Sequence, residues 1–446
     1  LLGIGVGVAG TLLAARISDP AGAAFALANQ VAATLFILFR IVGAGVGVVL
    51  AQNLGAGRRR AADAVARAAL GASSWIGGLT ALAALLAAAP LLRLMNAPPE
   101  VLPLALPLLQ ALAPTLVLDA WNASMGSVMR SHLRAREALF VTLTMQLTQL
   151  LLCLPLMLGW GMAWLGLQPL GLPGFALALL LSRGLGLALH LWLWRTRLQL
   201  VPQWPDWWRL RKAELAAVAH IGLPGAAENI AYRLAFMVSV GVAGVLGAQA
   251  LATQAYAIQV MQLVMLFGIS TGLAAETVVG HLIGAGRLHQ AHALVRRTLL
   301  RGLAVSLAVA LLAALAGPWL LRGFTHDAQI IAGGSTLLWL TVLLEPGRTF
   351  NVVVINGLRA AGDARYPVLA GALSMLLVLA GGSWFLGLHL GWGLPGVWLA
   401  YAADEWLRGL LMWRRWAQHK WVPHARASRR RLVAAAAALH SSGSPT

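Results

Sequence analysis

Charge and cysteine are both scarce in this sequence. Only 11% of its 446 residues are Asp, Glu, Lys or Arg, less than half of the roughly 25% that a soluble domain carries. That scarcity excludes an ordinary water-soluble fold. The single cysteine, Cys153, excludes an intrachain disulfide and a thiolate-built zinc site. Acidic residues are scarcest, 14 against 33 Lys and Arg, so each carboxylate can be weighed individually. A Walker A loop is missing, because neither Lys212 nor Lys420 follows a glycine. An ATP-driven pump would therefore need hydrolysis by another subunit.

What fills the chain instead is apolar: 59% hydrophobic residues and a mean hydropathy of +0.77. Runs of about 20 apolar residues, each able to cross a hydrocarbon core of about 30 Å, recur along the whole length. The fold class is an all-α polytopic membrane protein. Residues 1–15 read as a truncated first helix. After the turn Ser18-Asp19-Pro20, further helices are predicted at about 22–53, 63–92, 101–129, 138–159, 172–198, 214–247, 249–283, 290–322, 328–358, 366–388 and 394–420, twelve in all. Residues 422–446, rich in Arg, Ser and His, read as a solvated tail.

The net charge of +19 would point to nucleic acid in a soluble protein, but its distribution argues otherwise. Arginines crowd alternate loops: Arg58 to Arg60, Arg130 to Arg136, Arg195 to Lys212, Arg287 to Arg301, Arg359 to Arg365 and Arg414 to Arg431. The loops between hold little beyond Arg16, Arg93 and Arg322. This positive-inside asymmetry predicts a multi-pass protein of the cell (inner) membrane with both termini cytoplasmic. Nucleic acid is not an expected partner.

The chain repeats itself. Leu54-Gly55-Ala56-Gly57-Arg58 corresponds to Ile283-Gly284-Ala285-Gly286-Arg287, and the same offset of 229 carries Gln30 to Gln259, Asn122 to Asn351, Arg130 to Arg359 and Arg136 to Arg365. Leu172-Pro173-Gly174 matches Leu394-Pro395-Gly396 at a slightly different offset. A gap-free register over about eighty residues marks an internal duplication. Two pseudosymmetric six-helix lobes follow, residues 1–200 and 214–421, joined by a cytoplasmic linker at 201–213. Transporters built from such parallel repeats place substrate near the midplane and rock one half against the other.

One stretch gathers polar chemistry at the start of an apolar run: Gly222-Leu223-Pro224-Gly225-Ala226-Ala227-Glu228-Asn229-Ile230-Ala231-Tyr232-Arg233. An ionisable group in a membrane helix costs about 2.5–3.5 kcal/mol on insertion scales, so it normally faces a partner or a wet cavity. A helix end with charges near the headgroups is the plainer alternative. Glu276, Glu345, Asp119, Asp404 and Glu405 also fall within apolar segments, whereas Asp19, Asp63, Glu100, Glu137, Asp206, Glu214, Asp327 and Asp363 lie at loops and are expected to be solvated or to cap helices. Glu345 and Arg348 share a helix face at i, i+3 and can pair. Asp404, Glu405 and Arg408 have similar spacing and suit a pair locking helices together. Asp119 is read as a structural pair too, with Arg348, one repeat away, as a cross-lobe alternative.

The Gly-Ala-Gly-Arg loops, Leu358-Arg359-Ala360-Ala361-Gly362-Asp363 and Gly396-Val397-Trp398 together resemble the multidrug and toxic compound extrusion (MATE) transporters, over about residues 5–421. The resemblance implies twelve helices in two lobes and cation-coupled antiport of organic cations. Some members carry Pro-x-x-x-Glu-Asn on the seventh helix, matched here by Pro224, Glu228 and Asn229. The sodium-coupled branch has an acid where this chain has Tyr232, and an Asp where it has Arg348. The acid that other branches carry on the first helix is Gly10 here. These departures favour proton over sodium and place titration in the second lobe.

The expected cation-coupling residues are therefore Glu228, Glu345, Arg348 and Glu276, the last with helix packing as an equal alternative. Asn229, Tyr232, Asn351, Asn122, Phe236 and Met237 are the expected substrate contacts. A carboxylate's proton affinity rises with burial and falls beside a cation, so a Glu228 that meets Arg348 in one arrangement and loses it in another would exchange a proton. No metal, cofactor or catalytic residue is expected, only a coupling cation (H+ or Na+), a small organic substrate and the lipid bilayer, with the chain a monomer. Gly5-Val6-Gly7-Val8-Ala9-Gly10 lacks the strand of a dinucleotide site and reads as helix packing. Gly268-Ile269-Ser270-Thr271-Gly272 lacks the strand context of a nucleophile elbow. His289 and His292 share a face but lack further metal ligands. A lipid or lipid-linked sugar flippase of related architecture is the alternative function; a membrane-embedded enzyme would need a nucleophile–base or metal constellation that the sequence does not offer.

Overall fold

The structure, a computed structural model, describes residues 2–95, 98–159 and 168–441. No strand occurs among them. The long helices are α1 (Leu2–Ile17), α2 (Asp19–Gly55), α3 (Arg59–Leu86), α4 (Leu102–Ser131), α5 (Ala135–Leu158), α6 (Leu172–Leu193), α7 (Lys212–Val245), α8 (Ala248–Gly284), α9 (Leu288–Leu315), α10 (Ala328–Ala360), α11 (Arg365–Ser374), α12 (Gly393–Ala417) and α13 (Val422–Ser441). Helix α11 runs on to His389 through two stretches of wider turns. Short helices follow α3 (Ala88–Leu94) and α9 (Gly317–Arg322), starting 229 residues apart, so the sequence repeat is also a structural one.

Among the described residues eight helices are long and apolar enough to cross a bilayer. Helices α7 and α12 are not among them. Each spends part of its length on charge: Glu228 and Arg233 in the first, Asp404, Glu405 and Arg408 in the second.

The chain forms two compact units, Leu1–Leu50 with Arg60–Gly222, and Ala51–Arg59 with Leu223–Thr446. In the first, apolar residues of α1 to α6, among them Phe25, Leu92, Leu109 and Phe175, make one continuous core. Segment 201–213, expected as the connection between lobes, packs on this unit. Trp207 meets Trp121 edge-on at 4.9 Å, and the Trp75 indole donates to the Trp208 carbonyl at 2.9 Å. Asp206, expected to be solvated or to cap a helix, does cap: it accepts the Gln203 N–H at 2.9 Å at the start of the short helix Trp204–Trp207, and it is buried there with Arg211 donating to it at 2.7 Å.

In the second unit α10 lies between α8 and α12. Glycines make the approach close: Gly268 faces Thr349, Gly272 faces Val352 and Asn356, and Gly409 faces Phe350. Small residues let membrane helices meet backbone to backbone without relying on the hydrophobic effect. A β-carbon on Gly409 would fall 2.7 Å from Phe350 Cδ1 and 3.3 Å from the Asn351 nitrogen. Gly409→Val is therefore expected to destabilise by about 1–3 kcal/mol, the usual cost of overpacking. A wild-type melting temperature for that variant in detergent would refute the close fit.

Two expectations are corrected here. The tail is not wholly solvated, because residues 422–441 form α13. Trp421 stacks on Trp416 at 4.3 Å, and with Ala425 it is buried, anchoring the first turns despite their arginines. Asp363, expected at the surface, is 2% exposed, and Arg415 clamps both its oxygens at 2.5 and 3.2 Å.

Candidate functional site

The second unit buries an ion network on α10 and α12. Arg348 Nη1 donates to Glu345 Oε1 at 2.6 Å, one helical turn back, and its Nε donates to Glu405 Oε1 at 3.3 Å across the helix interface. Asn351, one turn on, donates to Glu405 Oε2 at 2.9 Å. Arg408 reaches Glu405 at 3.0 Å and Asp404 at 2.7 Å. Asp404 also accepts from Ser374 of α11 at 2.6 Å. All of these side chains are buried. Three carboxylates thus share two guanidiniums, which leaves one acid in excess. Buried charges persist only when paired and hydrogen-bonded, and here each carboxylate meets that condition by sharing a guanidinium. The amide oxygen of Asn351 is buried without a hydrogen-bond partner among the described residues.

Glu228 pairs with Arg359 rather than Arg348. The Glu228–Arg348 encounter, expected in one arrangement and lost in another, is not made in this one: the two arginines stand eleven residues apart on α10, about 16 Å along the axis at 1.5 Å per residue. Gly225, one turn before Glu228, lies against the guanidinium, whose carbon is 3.9 Å from its β-position, an ordinary contact distance. Arg359 Nη1 also donates to Asn356 at 3.5 Å, while its Nε is buried without a hydrogen-bond partner among the described residues. Glu276 is buried on α8 within the electrostatic reach of Arg359 and forms no ion pair among the described residues. Gly371 of α11 lies between the two clusters: a β-carbon there would stand 3.8 Å from Glu228 Cγ and 3.9 Å from Arg408 Cδ.

The other expected contacts divide. Tyr232 stacks on Phe236 at 6.1 Å, and Phe236 on Tyr401 at 6.0 Å, forming an aromatic column beside the ion network. Tyr401, absent from the expected set, bonds to Ser239 and accepts from Gln254 at 3.3 Å. Met237 is 67% exposed and stands outside this column. Asn229 spends its amide on the Gly225 carbonyl of its own helix at 2.8 Å.

Asn122 and Asp119 belong to a separate cluster inside the first unit. Arg183 Nε donates to Asp119 at 2.7 Å. Asn122 donates to the Arg183 carbonyl at 3.0 Å, and its oxygen bonds to His190 Nδ1 at 2.9 Å. Asp119 is thus paired within its own unit. Sequence reasoning missed Arg183 and His190, although the repeat held a signal for the first. The offset that carries Leu172-Pro173-Gly174 to Leu394-Pro395-Gly396 carries Arg183 to Glu405, just as 229 carries Asp119 to Arg348. Both units therefore hold an ion pair at corresponding positions with its signs exchanged, buried in the second unit and half-buried in the first.

Comparison with known proteins agrees with this architecture. A family model described as MatE matches residues 2–154 and 224–384. The uncharacterized transporter YisQ of Bacillus subtilis is 31% identical over 417 residues, covering 94% of this chain and 91% of that one. The probable multidrug resistance protein NorM of Pseudomonas aeruginosa is 28% identical over 405 residues, covering 86% and 80%. Among solved structures, the Vibrio cholerae MATE transporter VcmN in the bent form superposes with a TM-score of 0.84 at 16% identity, covering 96% of this chain and 94% of that one. That likeness shows the fold, twelve helices in two six-helix lobes, and the matched sequence shows the family. The chain belongs to the MatE family, the multidrug and toxic compound extrusion transporters.

Proposed function

We propose that this protein is a cation-coupled multidrug antiporter, driven by protons in preference to sodium, which exports organic cations or amphipathic compounds by alternating access. One observation carries the reading: each acidic cluster of the second unit holds one carboxylate more than its guanidiniums can neutralise. Glu345, Asp404 and Glu405 stand against Arg348 and Arg408, and Glu228 with Glu276 against Arg359. A surplus carboxylate in an apolar interior is stable as the acid, or as the anion beside a positive cargo. Exchange of a proton for an organic cation is the transaction such a site supports. Two guanidiniums already held by acids offer little to the phosphates of a flipped lipid. The aromatic column of Tyr232, Phe236 and Tyr401 suits a cationic ring system. The names of curated relatives, NorM and the multidrug resistance protein PmpM of Pseudomonas aeruginosa, support efflux of this kind. The basic loops would face the cytoplasm of the inner membrane.

Within this reading Glu228 holds the exchangeable proton and Arg359 is its competing partner. Proteoliposomes loaded with a fluorescent organic cation test it. A pH gradient is expected to drive efflux by the wild type, and Glu228→Gln to slow that efflux about tenfold or more, the scale of a coupling free energy of 1–3 kcal/mol. Undiminished transport would remove Glu228 from the mechanism. Efflux driven by sodium alone would replace the proton as coupling ion.

A further inference from the structure

Far from the ion network, the second unit carries a pocket of about 510 Å³ where α9 begins and α12 gives way to α13. Its polar lining is His289, His292, His419 and Arg426, over the indole of Trp421. No carboxylate lines it. The nearby acid, Asp363, is held by Arg415. Arg426 forms no ion pair among the described residues, and His292 Nδ1 is buried without a hydrogen-bond partner. The rings of His292 and His419 stack at 4.9 Å, which sets two imidazoles side by side in the pocket lining. Trp421 is fully buried, its Nε1 donated to the Trp416 carbonyl at 3.1 Å and its ring stacked on Trp416, so it offers the pocket no polar group. The N-terminus of α9, whose cap residue Arg287 makes no side-chain cap, adds the positive end of a 28-residue helix.

We propose that this pocket binds a phosphate group. Each polar side chain lining it can donate a hydrogen bond, and a phosphate would supply the counter-charge that Arg426 lacks. Arg426 provides the planar fork that phosphate oxygens accept in pairs. Imidazole N–H groups complete the shell, and Leu288, Val422 and Pro423 supply apolar lining for the rest of an ester. The pocket sits at the ends of membrane helices, beside the basic turns of α13. A phospholipid headgroup and a soluble phosphate ester are its two possible sources.

The test uses the full chain with Arg426→Gln and His289→Gln, both at exposed positions. Native mass spectrometry of the protein in nanodiscs of phosphatidylglycerol, against a phosphate-free glycolipid, reads the lipid source. Calorimetric titration with glycerol phosphate reads the soluble one. The wild type is expected to retain phosphatidylglycerol or to bind glycerol phosphate, whichever is the source, and each variant to bind it about tenfold more weakly, the effect of one lost charge-assisted bond. Binding of neither probe, or equal binding by wild type and variants that keep the wild-type melting temperature, would overturn the proposal.

Discussion

Arg348→Met is expected to be the most damaging single substitution in the second unit, costing about 3–5 kcal/mol because it strands buried carboxylates without their cation. Arg348 is 5% exposed and bridges Glu345, 2.6 Å away on its own helix, to Glu405, 3.3 Å away on α12. Its removal leaves Arg408 alone against three acids. The measurement is a thermal melt of the purified protein in detergent, with the yield of monodisperse material as a second readout. Adding Glu345→Gln to the same chain should recover much of the loss, since an amide carries no charge to strand. Equal melting temperatures for wild type and Arg348→Met would mean that the network has no net electrostatic role in stability. Arg348→Lys is expected to fall between, because an ammonium cannot offer the two directed donors that a guanidinium gives to acids on different helices.

In the first unit Asp119→Arg should be nearly as harmful, at the lower end of the about 3–5 kcal/mol that breaking a buried pair costs. It would set two guanidiniums together where Arg183 now meets a carboxylate at 2.7 Å, with both side chains largely buried. The informative experiment is the exchange, Asp119→Arg with Arg183→Glu. Because the related position in the other unit already carries arginine on its fourth helix and glutamate on its sixth, the backbone frame accepts either polarity. The double variant should therefore recover most of the melting temperature lost by either single one. If it stayed as unstable as the sum of the singles, local surroundings such as the Asn122–His190 bond at 2.9 Å would be what sets the polarity.

Much of this was legible in residue order because membrane helices are written as long apolar runs, and because the duplication shows as a fixed register. Glu345–Arg348 was legible for the same reason: three residues along a helix bring two side chains together. Pairs made across helices were not. Arg183 lies 64 residues from Asp119 and Arg359 lies 131 from Glu228, and no local spacing says which distant arginine an acid will meet. The burial of two loop acids was not legible for a related reason. Asp206 and Asp363 carry polar neighbours in sequence, yet each is enclosed by arginines that fold over it. The last helix was not legible because its anchors are few, the buried Trp421 just before it and Ala425 in its first turn, ahead of a run of arginines.

Helix α12 has a consequence for how the protein is made. With Asp404, Glu405 and Arg408 near its middle, and each charge costing about 2.5–3.5 kcal/mol to insert, it is a poor candidate for leaving the translocation channel by itself. Its acids are tolerable only beside Arg348 and Ser374, which arrive earlier on α10 and α11. The last span must then be received by spans already waiting in the lipid, so biogenesis ends with a docking step rather than a simple release.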